Sequence, residues 1–219
     1  MLVLENKNIN ISLKINCFQY FKNFRMKFFY TSRTEIKHLL KAWLIISLAF
    51  AIASSGLSFK SDFLISFIVS ALTVGIGFLF HELAHKIVAQ KYECFAEFRA
   101  NTQMLILALI ISFTGFIFVA PGAVFIQGNI NREKNGKVSA AGPLTNMILA
   151  LLFMPFLFTP SAIIHKIAEF GMIINIWIAI FNMLPFWNFD GMKVLMWSRK
   201  TYIAMLAAAF GVSLLQLLV

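Results

Sequence analysis

The chain has 219 residues, of which 60% are hydrophobic and only 13% charged, and its mean hydropathy is +0.81. Soluble domains carry roughly a quarter charged residues, so the composition excludes one and indicates an integral membrane protein. The net charge of +10 is read as loops kept on the cytoplasmic side and not as a nucleic-acid surface. The two cysteines, Cys17 and Cys94, are too few for a disulfide framework and are not spaced as a metal pair.

Residues 1–37 form a basic segment with no short hydrophobic core and no small-residue cleavage site, so no signal peptide is expected there. Within it, residues 17–30 mix aromatics with Lys22, Arg25 and Lys27. Two readings stay open: a strip lying on an anionic membrane face, or a poorly ordered basic tail. Residues 38–219 form the membrane-embedded domain. Its candidate apolar segments are 39–57, 62–90, 103–120, 138–158, 164–186 and 201–219, each near the length of about 20 residues that crosses a bilayer.

Segment 62–90 ends in His81-Glu82-Leu83-Ala84-His85. On a helix, residues four apart share one face one turn apart. Two imidazoles so placed can hold one zinc ion, with Glu82 beside the open position. The plainer alternative, interfacial histidines at a helix end, leaves the glutamate unexplained. Gly75 and Gly77 are read as packing notches.

Segment 103–120 carries a Thr114-Gly115 break, and Pro121-Gly122 leads into the β-prone run Ala123 to Gln127. A short strand or hairpin is expected over 121–136. If segment 103–120 dips into the membrane and returns, all of the 19 Lys and Arg residues except Lys60 and Lys166 face the cytoplasm. If it crosses, the clusters at Arg132–Lys137 and Lys193–Lys200 move outside, which the orientation rule disfavours. The fold expected is therefore an all-α polytopic membrane protein. It has about five spanning helices, and a re-entrant, partly β element (about 103–136) between the HELAH helix and the next span. The N-terminus and the HELAH end are expected on the cytoplasmic side.

A zinc site needs a third protein ligand and an open position. Asp62 and Glu169 lie at the outer helix ends, Glu5 and Glu35 in the tail, and Glu93, Glu97 and Glu133 in polar loop sequence. Asp190 differs, because it sits in an apolar flank, Pro185 to Phe189 before and Gly191 to Leu195 after. An unpaired carboxylate is costly there and should have a partner. Only the re-entrant topology puts Asp190 on the side of His81. Pro185 ends or bends the preceding helix and lets the chain fold back. Gly142-Pro143 is expected to open the helix over 138–158. Asn146 then lies one turn in, where it would either donate to substrate or a developing oxyanion or make an ordinary inter-helix hydrogen bond.

These pieces resemble the site-2 protease family of intramembrane zinc metalloproteases. The match rests on HELAH (81–85) in a spanning helix, AGPLTN (141–146) and NMLPFWNFDG (182–191), in that order. Phe189 and Met192 depart from the residues usual around the family's Asp-Gly. The resemblance implies one zinc ion per chain held by His81, His85 and Asp190, with Glu82 as the base. It also implies a transmembrane protein substrate met in the lipid bilayer. The competing class is a non-catalytic membrane protein, either a degenerate relative that binds transmembrane helices or a metal carrier. A carrier would spread ligands along a path across the membrane, and a degenerate relative would be expected to lose Glu82.

Overall fold

A computed structural model describes residues 29–56, 61–115 and 122–218. Cys17, Lys60, Pro121 and all of the aromatic–basic strip except Phe29 and Tyr30 lie outside the described residues. The chain divides into two units, Met1–Thr31 and Ser32–Val219. The second carries every element that follows.

Helix α1 (Arg33–Ser55) is capped by Ser32, whose side chain accepts from Glu35 N. Helix α2 is built from Ser61–Ser70, a π-helical turn at Ala71–Gly75, and Ile76–Lys91. The Ala71 carbonyl in that turn accepts from Trp43 Nε1 of α1 at 3.1 Å. Gly75 belongs to the same turn, and a Cβ there would meet Ser47 Oγ and the Trp43 ring. The π turn thus sits where α1 presses closest.

Strand β1 (Phe95–Ala100), helix α3 (Thr102–Ser112) and strand β2 (Gly122–Gln127) follow. After them come α4 (Arg132–Phe153), which runs into a 3-10 turn (Met154–Phe158), α5 (Ala162–Asn182), α6 (Asp190–Trp197) and α7 (Arg199–Leu218).

Four of these stretches are long and apolar enough to cross a membrane: Arg33–Ser55, Asp62–Lys91, Arg132–Phe158 and Ala162–Asn182. Helix α7, at 20 residues, has the length of a fifth, about 30 Å. With its small sheet, the molecule is an all-α polytopic membrane protein with a partly β element, as the hydropathy pattern indicates.

The element after the HELAH helix is partly β. Strands β1 and β2 pair antiparallel, with Ala100 opposite Gly122 and Phe95 opposite Gln127. Ala100 and Gly122 therefore lie side by side at one end of the sheet. Helix α3 has 11 residues, about 16 Å, roughly half the depth of a bilayer core.

The strand pairing also assigns the sheet's edges. Phe98 N donates to Glu35 Oε1 at 2.9 Å and Ala100 N to His38 Nδ1 at 3.1 Å. Both amides point away from β2. In an antiparallel ladder both members of such a pair face outward. Val124 and Ile126, opposite Phe98 and Ala96, therefore turn their backbone groups to the outer edge of β2. Among the described residues no strand pairs with that edge. Their side chains pack inward against α2 and β1, while Phe125 is exposed on the other face.

Three sequence expectations change here. Of the short strand or hairpin expected over 121–136, the strand is what forms, and its partner is β1, which Glu97 and Arg99 made resemble polar loop. Helix α4 starts at Arg132, with Asn131 as its cap, so residues 132–137 are its solvated first turns and Pro143 lies inside the helix. Glu97 and Glu35, expected to be solvated and in the tail, are 6% and 0% exposed. Glu97 accepts from Ser32 Oγ and from Arg99 Nη2, the latter at 2.7 Å.

Candidate metal centre

His81 and His85 lie on consecutive turns of α2, their rings 4.7 Å apart between centroids. Asp190 arrives from the far side of the chain. Helix α5 stops at Asn182, the segment 183–189 turns back, and α6 begins with Asp190 itself. Gly191 makes that turn possible, because a Cβ there would collide with the backbone of Met183. Asp190 Oδ2 then lies 3.3 Å from His81 Nε2 and 3.1 Å from His85 Nε2. Its other oxygen faces Lys193 Nζ at 3.8 Å. All three ligand-type residues are buried, with exposures of 5%, 8% and 7%.

The outer partners of the imidazoles fix where their protons lie. His85 Nδ1 is 2.8 Å from the Val138 carbonyl, which can only accept, so Nδ1 carries the proton. His81 Nδ1 is 2.6 Å from Asn146 Oδ1. Asn146 Nδ2 already donates to Gly77 O at 3.1 Å and to Asn175 Oδ1 at 2.8 Å, so His81 Nδ1 is a donor as well. The two Nε2 atoms lie 3.1 Å apart, and both face Asp190 Oδ2.

Two imidazole nitrogens and a carboxylate oxygen thus converge within 3.3 Å of one another, a donor set suited to a cation. Among the described residues His81, His85 and Asp190 are the group of His, Cys, Asp or Glu side chains able to hold one. Gly142 of α4 passes directly over them. A Cβ on it would lie 2.5 Å from His85 Nε2 and 2.6 Å from His81 Nε2, so a glycine keeps the approach to both nitrogens open. The donor set, two imidazoles and a carboxylate, is one that zinc takes in catalytic sites.

Glu82 is buried to 9% exposure beside this group. Among the described residues its carboxylate receives no hydrogen bond, and it lies within electrostatic reach of His81, His85, Asp190 and Lys193. Asn146, fully buried, has both amide hydrogens engaged. It faces a histidine and has no donor left for an oxyanion. Lys86 is fully buried against Glu35. Asn188 is exposed near the turn into α6. The remaining histidines sit elsewhere: His38 against β1 and His165 against the Leu157 carbonyl. The Val138 carbonyl and Asn175 were not singled out from sequence. A lone asparagine in the apolar run of α5 was the available signal.

A curated protein of Methanocaldococcus jannaschii, "Putative zinc metalloprotease MJ0611", is 42% identical over 177 residues, covering 79% of this chain and 89% of that protein. The chain belongs to this zinc metalloprotease family. No family model and no solved structure matches it. For a metalloprotease of this family, the buried His81, His85 and Asp190 are the natural metal-holding set, and HELAH is the only HExxH in the sequence.

Proposed function

We propose that the chain is an intramembrane zinc endopeptidase of the site-2 protease type, hydrolysing peptide bonds in or near transmembrane segments of other proteins. The observation that carries the reading is the placement of Glu82 between His81 and His85 in a 30-residue apolar helix. His81, His85 and Asp190 would hold one zinc ion per chain.

A zinc ion in such a site acidifies water and polarises a carbonyl. His81 and His85 contribute neutral nitrogen donors, and Asp190 contributes one negative charge. Glu82, with no competing hydrogen bond, takes a proton from the attacking water. The water oxygen bonds to the scissile carbon, the carbon–nitrogen bond breaks, and Glu82 returns the proton to the leaving amine.

A substrate helix hides its carbonyls and must be extended before it can be cut. An extended segment in lipid leaves amides that each cost several kcal/mol unpaired. The outer edge of β2, with the backbone groups of Val124 and Ile126, can supply partners by strand addition. The plainer reading of β2 as a connector packed on α2 is compatible with its inner face. The charge bias of the loops supports an orientation with the N-terminus and the metal end on the cytoplasmic side.

The ligands cluster at one end of α2 and do not line a path, which supports an enzyme over a metal carrier. The retained Glu82 supports it over a non-catalytic relative. The test is cleavage of transmembrane peptides against soluble peptides carrying the same scissile sequence, with zinc content measured on the same sample. Preferential cleavage of the transmembrane set is expected. Equal or greater cleavage of the soluble set would place the enzyme among ordinary zinc endopeptidases.

A further inference from the structure

We propose that Asn175, on a helix that carries no metal ligand, is a positioning residue that selects the metal-binding tautomer of His81 by way of Asn146. This rests on the reading of His81, His85 and Asp190 as a zinc site.

Asparagine side chains can turn over and exchange carbonyl for amide with little change of shape. Asn146 therefore presents oxygen to His81 only if its surroundings discriminate. Two acceptors do so: Gly77 O at 3.1 Å and Asn175 Oδ1 at 2.8 Å both receive the Asn146 amide. In the turned-over state the Asn146 oxygen would face two acceptors and its amide would face His81 Nδ1. His81 would then hold its proton on Nε2, the nitrogen aimed at Asp190, and could not bind a metal there.

Asn175 is itself held. Its amide donates to Gly171 O, one turn earlier in α5, at 2.8 Å. A backbone carbonyl only accepts, so this bond points Asn175 Oδ1 toward Asn146. The order runs from the Gly171 carbonyl through Asn175 and Asn146 to His81. Asn146 and Asn175 are both 0% exposed, so no water substitutes for a missing partner.

Gly77 completes the arrangement, since a Cβ there would lie 2.5 Å from Asn175 Oδ1. The same α5 leads at its end into the turn that delivers Asp190. One helix thus sets the tautomer of the first ligand and places the third.

The test compares zinc affinity, by chelator competition on purified protein, among wild type, Asn175→Leu, Asn175→Asp and Gly77→Ala. Outer-sphere partners of metal-binding histidines typically matter by roughly 10–100-fold in metal affinity. Asn175→Leu is expected to weaken zinc binding within that range. Nitrogen NMR of His81 in its metal-free form should show mixed tautomers in place of one Nδ1–H species. Asn175→Asp, protonated in so buried a place, keeps one acceptor and one donor and should stay near wild type.

Gly77→Ala displaces Asn175 without removing it and should weaken zinc as Asn175→Leu does. It decides the matter if the leucine variant does not fold. Wild-type affinity with a single His81 tautomer in Asn175→Leu, or wild-type affinity in Gly77→Ala, overturns the proposal. So does equal weakening in Asn175→Leu and Asn175→Asp. A wild-type protein that binds no zinc would instead overturn the metal reading on which this rests.

Discussion

Lys86 Nζ lies 2.5 Å from Glu35 Oε2, and each side chain is 1% exposed. The pair joins the start of α1 to the residue immediately after His85. Glu35 also takes the amide of Phe98 through its other oxygen, so one carboxylate ties α1, α2 and β1 together. Removing one partner of a buried pair leaves an uncompensated charge and costs about 3–5 kcal/mol. Glu35→Ala should therefore lower the unfolding midpoint sharply. The double variant Glu35→Leu/Lys86→Met, which removes both charges, should recover most of the loss. Unfolding in detergent measures both, and a Glu35→Ala midpoint equal to wild type would show that the pair contributes nothing.

Asp190 is expected to be the third ligand. Asp190→Ala should strip or greatly weaken zinc, whereas Glu169→Ala, at an exposed position on α5, should leave metal content unchanged. Elemental analysis of the purified variants decides this. Full zinc occupancy in Asp190→Ala would remove Asp190 from the site.

The strand edge makes a prediction that depends on position. Proline at Val124 or Ile126 removes an outer-edge donor and spares the ladder to β1, while proline at Phe125 removes a ladder bond. The first two variants should keep zinc and fold yet cleave transmembrane substrate more slowly. Phe125→Pro should lose stability as well. Helix-breaking residues placed in the substrate should speed cleavage by lowering the cost of extension. Unchanged turnover in both outer-edge variants, together with no effect of substrate helix breakers, would rule out strand addition.

Orientation is open to direct labelling. In a background without Cys17 and Cys94, cysteines at Lys134 and Lys193 should react with an impermeant reagent from the cytoplasmic side. One at Lys166 should react from the other side. Reaction of Lys134 and Lys166 from the same side would contradict the arrangement.

What could be read in the chain divides along physical lines. HELAH announced itself because its spacing matches the helical repeat, and Asp190 because a carboxylate in an apolar flank needs a partner. The β-prone run Ala123 to Gln127 was legible and forms most of β2. Strand β1 was not legible, since Phe95-Ala-Glu-Phe-Arg-Ala100 carries charges that read as solvated. Those charges are satisfied by each other and, from 65 positions away, by Ser32. The Glu35–Lys86 pair was hidden for the same reason, its members being 51 positions apart. The true start of α4 was masked by the polarity of its first turns and by Pro143, which suggested a later start. Asn146 was recognised as polar at the right depth, but its task depends on Asn175, a residue that only tertiary packing brings to it.

The central claim is that Glu82 performs zinc-dependent hydrolysis of transmembrane segments. The most direct measurement is turnover of a transmembrane peptide panel by zinc-loaded wild type and zinc-loaded Glu82→Gln. The account predicts cleavage by wild type, abolished by a zinc chelator, and a loss of about 10²–10⁴-fold in the variant at unchanged zinc content. Equal cleavage by Glu82→Gln, or no cleavage of any peptide by fully zinc-loaded wild type, would contradict it.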